Sequence, residues 1–164
     1  MQLYKNGMKL MRDTASLTNA MIENFGSNEE LKPGSTFCQL LWTDRTLWVI
    51  TRVISATEFF AARAETTMKH WTEGTEYPVY DEKGNIKVTP NSECYFRFSY
   101  KNWKRFGGGF LEAFFGEALD KFFKSTGDMG KDIQRAVVKF CRTKRPERVH
   151  LSFGCETGYR DPSF

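Results

Sequence analysis

Three features of the 164-residue chain predict an α+β fold. The fold is a small, strongly curved antiparallel β-barrel, an SH3-like form being one candidate, with an N-terminal helix and a helical hairpin inserted before the last strand. First, the run Phe37 to Val53 is rich in β-branched and aromatic residues and is broken at Thr43-Asp44-Arg45, as in a hairpin. Second, Glu58 to Met68 and Cys94 to Tyr100 alternate in the manner of strands. Third, after Gly107-Gly108-Gly109 the apolar period changes from that of a strand to that of a helix, and it changes back at Val149.

Taken in order, residues 1–12 form a strand-like lead-in, and Thr14 to Phe25 is predicted helical. Leu17, Met21 and Phe25 share one face there, Thr14 or Ser16 can cap the start, and Gly26 ends it. Pro33-Gly34 turns the chain into the hairpin, expected over 36–54, with Trp42 and Trp48 flanking the tip and Arg45 held out at it. In the third strand, Glu58 to Met68, the small residues Ala61, Ala62 and Ala64 allow close curling. Asp81 to Asn85 reads as a hairpin tip between Val79-Tyr80 and Ile86 to Val88. A strand at Cys94 to Tyr100 places Cys94, Phe96, Phe98 and Tyr100 on one side and Tyr95, Arg97 and Ser99 on the other.

Within the insertion, 107–146, a first helix over 110–124 carries Phe110, Phe114, Phe115, Phe122 and Phe123. That is more aromatic surface than one small core needs, so this helix is a candidate dimer contact. A second helix, about Lys131 to Thr143, is expected to bury Ile133, Ala136, Val137, Phe140 and Cys141, with Pro146 beyond its end. Val149 to Phe153 is the closing strand, and the chain ends on Tyr159 to Phe164.

A hydrophobic share of 40% with 15 phenylalanines argues against disorder, and the length suits one domain, 1–164. The net charge is +4, but its distribution is uneven. Lys131 to Arg148 holds seven Lys or Arg against Asp132 and Glu147, a local +5, which leaves −1 for the rest. Four scattered cysteines, no apolar leader after Met1 and no long apolar run point to a cytoplasmic protein with reduced thiols and no membrane contact. The spacing of Cys38, Cys94, Cys141, Cys155, His70 and His150 gives no zinc motif, so neither metal nor cofactor is implied.

Two groups of residues are candidate ligand contacts. Lys131, Arg135, Lys139 and Arg142 recur at spacings of four, four and three, so they share one side of a helix, opposite Ile133, Val137 and Phe140. Such a face can hold phosphates, although a solvated helix face has the same composition. Trp42, Arg45, Trp48 and Arg52 form the second group. Trp48 and Arg52 differ by an even number and share a strand face, where an indole beside a guanidinium can stack on a base and hold its phosphate. The competing reading puts both tryptophans in the core. Neither a paired-carboxylate site nor a phosphate-loop motif is present, and no catalytic residue is assigned.

Thr14-Ala-Ser-Leu-Thr-Asn19, Trp42-Thr-Asp-Arg45, Leu151-Ser-Phe-Gly154 and Asp161-Pro-Ser-Phe164 resemble small uncharacterised proteins of tailed bacteriophages. The resemblance covers about half of the chain and omits 107–146. It implies a virus-encoded accessory protein in the host cytoplasm and supplies no catalytic residues. Together with the cationic groups, it leads to the expectation of a non-enzymatic protein that counters a host defence by sequestering a nucleotide signal or nucleic acid. The alternatives are an inhibitor of a host protein complex acting through the helical insertion, and a phosphodiesterase or nuclease.

Overall fold

The computed structural model describes residues 31–90, 92–106 and 131–162 in full, and the backbone of 4–5, 8–9 and 128–130. The predicted helices over 14–25 and 110–124, and the dimer contact on the latter, lie outside the described residues. A short pair, β1 (Tyr4–Lys5) and β2 (Met8–Lys9), precedes the main body.

That body is a closed six-stranded antiparallel barrel. Its strands are β3 (Thr36–Leu40), β4 (Arg45–Ser55), β5 (Glu58–Arg63), β8 (Cys94–Ser99), β9 (Asn102–Phe106) and β10 (Pro146–Phe153). Each pairs with the next in this series, and β10 returns to β3, so the barrel leaves no open edge. Between β5 and β8 an excursion carries β6 (Thr66–Thr67) and β7 (Thr75–Pro78); β11 (Gly158–Tyr159) pairs with β7 and with Arg45. The helix α1 (Asp128–Arg142) precedes β10.

Alternation along the strands fills the barrel with aromatic side chains, as an interior this narrow requires. Phe37, Trp48, Ile50, Phe59, Phe96, Trp103, Leu151 and Phe153 form its core. Phe37 meets Phe59 and Phe96 edge-on at 5.3 Å, and Trp48 meets Phe96 edge-on at 5.2 Å. Such ring pairs add to the area they bury.

The outer wall is covered on two sides. Phe60, Tyr95 and Phe106 face outward beneath α1, packing on Val137, Val138 and Cys141. On another side Cys38, Leu40, Leu47, Val49 and Ala64 pack with Ile86 of the excursion and Cys155 of the C-terminal segment.

Several expectations are corrected. The third strand ends at Arg63; beyond it Ala64 makes a single bridge to Val88 before the separate β6. The predicted tip at Asp81 to Asn85 forms, closed by Asp81 and Asn85 and by the bridge between Tyr80 and Ile86. The last strand begins at Pro146, three residues before the predicted start, because 146–149 pair with β9. On α1 the buried residues are Val137, Val138 and Cys141, while Ala136 is exposed. The buried stripe is therefore rotated about the helix axis from the predicted one, since larger β-branched Val138 outcompetes Ala136 for the barrel surface.

Candidate functional site

The helix stripe is assembled beside the barrel and not on the far side of the helix. With the buried face centred on Val137, Val138 and Cys141, the cations Lys131, Arg135, Lys139 and Arg142 flank it. Arg135, Lys139 and Arg142 join Gln134, Val138, Ile54 and Glu58 around a cleft of about 410 Å³ between α1 and the barrel.

Glu58 at the start of β5 is the pivot of this region. Its carboxylate accepts hydrogen bonds from the Tyr95 hydroxyl and from Arg142 Nη2, the latter at 2.6 Å, and lies 4.0 Å from Arg97 Nε. Burial pushes the Glu58 carboxyl up, but the hydrogen bonds from Tyr95 and Arg142 and the charges of Arg142 and Arg97 outweigh it, holding the group below the usual range. The Tyr95 hydroxyl is pushed up, by burial and by its bond to Glu58, and stays protonated as a donor.

Beyond Glu58 the basic surface continues across the sheet. On the outer face Glu58 is opposite Arg97, Arg97 is opposite Lys104, and Lys104 is opposite Arg148. Like charges facing directly across strands cost stability, yet three cations stand here in one transverse row. Lys104 Nζ donates to Ser99 Oγ at 3.1 Å and lies 5.0 Å from the centre of the Tyr100 ring. Tyr100 is 90% exposed at the two-residue turn between β8 and β9, beside Lys101. Seven cations thus form one band: Lys131, Arg135, Lys139 and Arg142 along the helix, then Arg97, Lys104 and Arg148 across β8 to β10. Glu58 sits at the junction, and Asp132, 3.5 Å from Arg135, is an exposed partner that contributes little.

The hairpin group is not brought together. Trp42 lies in the turn after β3, 57% exposed. Arg45 does not project from the tip. It opens β4 opposite Leu40 and Tyr159, with its guanidinium 5.1 Å from the Tyr159 ring centre. Asp44 is tied to the C-terminal segment, accepting from the Asp161 N–H at 2.7 Å and from Arg160 at 3.2 Å. Trp48 points into the barrel core and is 2% exposed. Arg52 does not share its face. Ile50 pairs with Ala61 and Arg52 with Phe60, so Thr51 is an extra residue, a bulge that reverses the alternation. Arg52 therefore stands on the outer wall beside Phe60.

A polar plug closes one mouth of the barrel. Arg105, on the inward side of β9, donates to Gln39 Oε1 at 3.0 Å and to Glu147, with its guanidinium 5.8 Å from the Trp48 ring centre. A second hollow, of about 190 Å³, opens beside Arg63 and Thr89, where Arg160 is committed to Glu76 and Asp44. Among the described residues no three His, Cys, Asp or Glu side chains gather as metal ligands, and no helix is long and apolar enough to cross a membrane.

Arg97, Lys104 and Tyr100 lie outside the sequence-predicted site, whereas Arg148 closes the basic segment that extends the helix stripe. The signal for Arg97 was present, on the same strand face as Tyr95 and Ser99. Lys104 had none, because 102–106 carries no turn cue of the usual kind before it. No family model, curated protein or solved structure matches the chain.

Proposed function

We propose that this protein binds the phosphate backbone of a nucleic acid along its basic band, without turning the ligand over. The continuity of the band carries the reading. Lys131 to Arg142 spans about 16 Å of helix at the α-helical rise, and the row from Arg97 to Arg148 adds about 10 Å at the usual strand spacing. A track on the order of 25 Å exceeds one nucleotide and suits a chain of phosphates. Exposed Tyr100 beside Lys104 offers a ring on which a base of a single strand can stack. The likeness of the chain's ends and central hairpin to tailed-phage proteins supports placing this binding in a viral accessory protein that sequesters a host or viral strand.

The test compares oligonucleotide lengths. Fluorescence anisotropy should give affinity that rises with length up to about ten nucleotides, within the range of single-strand sites, while mononucleotides leave the melting temperature unchanged. Replacing Lys131, Arg135, Lys139 and Arg142 together by glutamine should abolish most of the binding. Equal affinity for mononucleotide and oligonucleotide would replace this reading with a small-ligand site in the cleft.

A further inference from the structure

Cys38 and Cys155, 117 positions apart in sequence, meet on the outer wall of the barrel. Cys38 sits on β3 opposite Leu47 and Ser152. Cys155 follows the turn that ends β10, where Gly154 has φ +86 and donates its N–H to the Thr36 carbonyl at 3.1 Å. Thr36 Oγ1 in turn donates to the Cys155 carbonyl at 2.5 Å. This double anchor fixes Cys155 against β3, where it packs against the cluster that holds Cys38. Cys38 Sγ also lies 3.3 Å from the Thr157 carbonyl. Cys38 is fully buried, whereas Cys155 is half-buried.

We propose that Cys155 is a nucleophilic thiol that reacts with low-molecular-weight disulfides, and that Cys38 resolves the adduct into an internal Cys38–Cys155 bond. In the first step the Cys155 sulfur attacks one sulfur of the small disulfide, forming a mixed disulfide and releasing one thiolate. In the second, the Cys38 sulfur attacks the Cys155 sulfur and expels the second small thiolate, which takes up the Cys38 proton as it leaves. Two protein thiols are oxidised and one small disulfide is reduced, so electrons and atoms balance.

The surroundings divide the roles. The neighbouring Cys38 thiol is the chief cause that lowers the Cys155 thiol below the usual range, aided by the Ser152 hydroxyl and the charge of Arg45, against the effect of burial. Of the two, Cys155 is therefore the one favoured as the thiolate, the form that attacks. Cys38 is held far above the usual range, first by its neighbour Cys155 and then by burial. Formation of the mixed disulfide consumes the Cys155 anion, which removes the main cause of the elevation and frees Cys38 to react. The other cysteines are poor competitors. Cys94 lies inside the barrel, and Cys141 is pushed up to about 12 by burial beneath α1.

Two measurements on the wild-type chain test this. Alkylation with iodoacetamide, followed by peptide mass spectrometry, should label Cys155 first, with a pH midpoint below the free-thiol value. Incubation with oxidised glutathione should yield a linked Cys38–Cys155 peptide and a raised melting temperature, since the bond closes a long loop. Cys38→Ser should stop at the glutathione adduct on Cys155. A Cys155 midpoint near the free-thiol value of about 8.5, a wild-type product that stops at the adduct, or a linkage that omits Cys38 would overturn the proposal.

Discussion

Glu58 shows how one side chain can serve the fold and oppose the ligand. Its carboxyl is held below the usual range by Tyr95, Arg142 and Arg97. A group with a depressed folded-state value stabilises the protein above its unfolded value, about 4.3 for Glu, and that contribution is lost as pH falls through the lower folded value. Glu58→Gln should therefore cost about 1.5–3 kcal/mol in urea unfolding at pH 7, the range for hydrogen bonds to a charged group. It should also lose stability less steeply than the wild type below pH 4.5 or so, where the wild-type carboxyl is itself being neutralised. The same substitution deletes the anion at the junction of the band, so oligonucleotide affinity should rise while stability falls. Trp48 is a simpler case. Enclosed by Phe37 and Phe96, it should cost about 3–5 kcal/mol when replaced by alanine, with binding unchanged in the fraction that remains folded. Helical spacing made Lys131, Arg135, Lys139 and Arg142 legible as one side of a helix. The expected partnership of Trp48 with Arg52 was misread because the bulge at Thr51 lies in an unbroken β-branched run with no glycine to mark it.

At the scale of elements, the turn from β8 to β9 is instructive. Tyr100 and Lys101 both adopt positive φ, 52° and 67°, which two-residue hairpins require and which asparagine and glycine adopt at least cost. Side chains in this region cost about 1–2 kcal/mol per residue. Replacing Tyr100 by Asn together with Lys101 by Gly should thus stabilise the fold by about 1–2 kcal/mol in thermal or urea unfolding. Loss of the exposed ring should weaken single-strand binding by about 1–3 kcal/mol, so stability and affinity should move in opposite directions. The same residues explain why β9 was not legible: without an Asn-Gly or Asp-Gly pair the chain offers no hairpin signal before 102–106. The existence of α1 was legible from its period, but its rotation was not. That depended on which of Ala136 and Val138 would meet Phe60, Tyr95 and Phe106, a tertiary choice.

For the whole molecule, the position of the band follows from how the barrel is wrapped. Strand content was readable from the β-branched and aromatic run Phe37 to Val53 and the alternation along Cys94 to Tyr100, and curvature from the small Ala61, Ala62 and Ala64. Closure was not readable as a register, since it depends on β10 returning to β3 through pairs such as Leu151 with Gln39. Once closed, the wall is covered by α1 on one side and by the excursion and C-terminal segment on another. The row of Arg97, Lys104 and Arg148 adjoins Glu58, where Arg142 of α1 lands. Two basic elements far apart in sequence thereby become neighbours, and the strand row extends the helix stripe.

The most direct test of the band is the salt dependence of oligonucleotide binding, measured by anisotropy for the wild type and for a variant with Arg97, Lys104 and Arg148 all changed to glutamine. Each phosphate contact to a single strand contributes about 0.7 to the slope of log affinity against log salt. The variant should keep its fold by circular dichroism and show a slope shallower by about 2. An unchanged slope in the variant, or wild-type affinity indifferent to salt, would contradict the account.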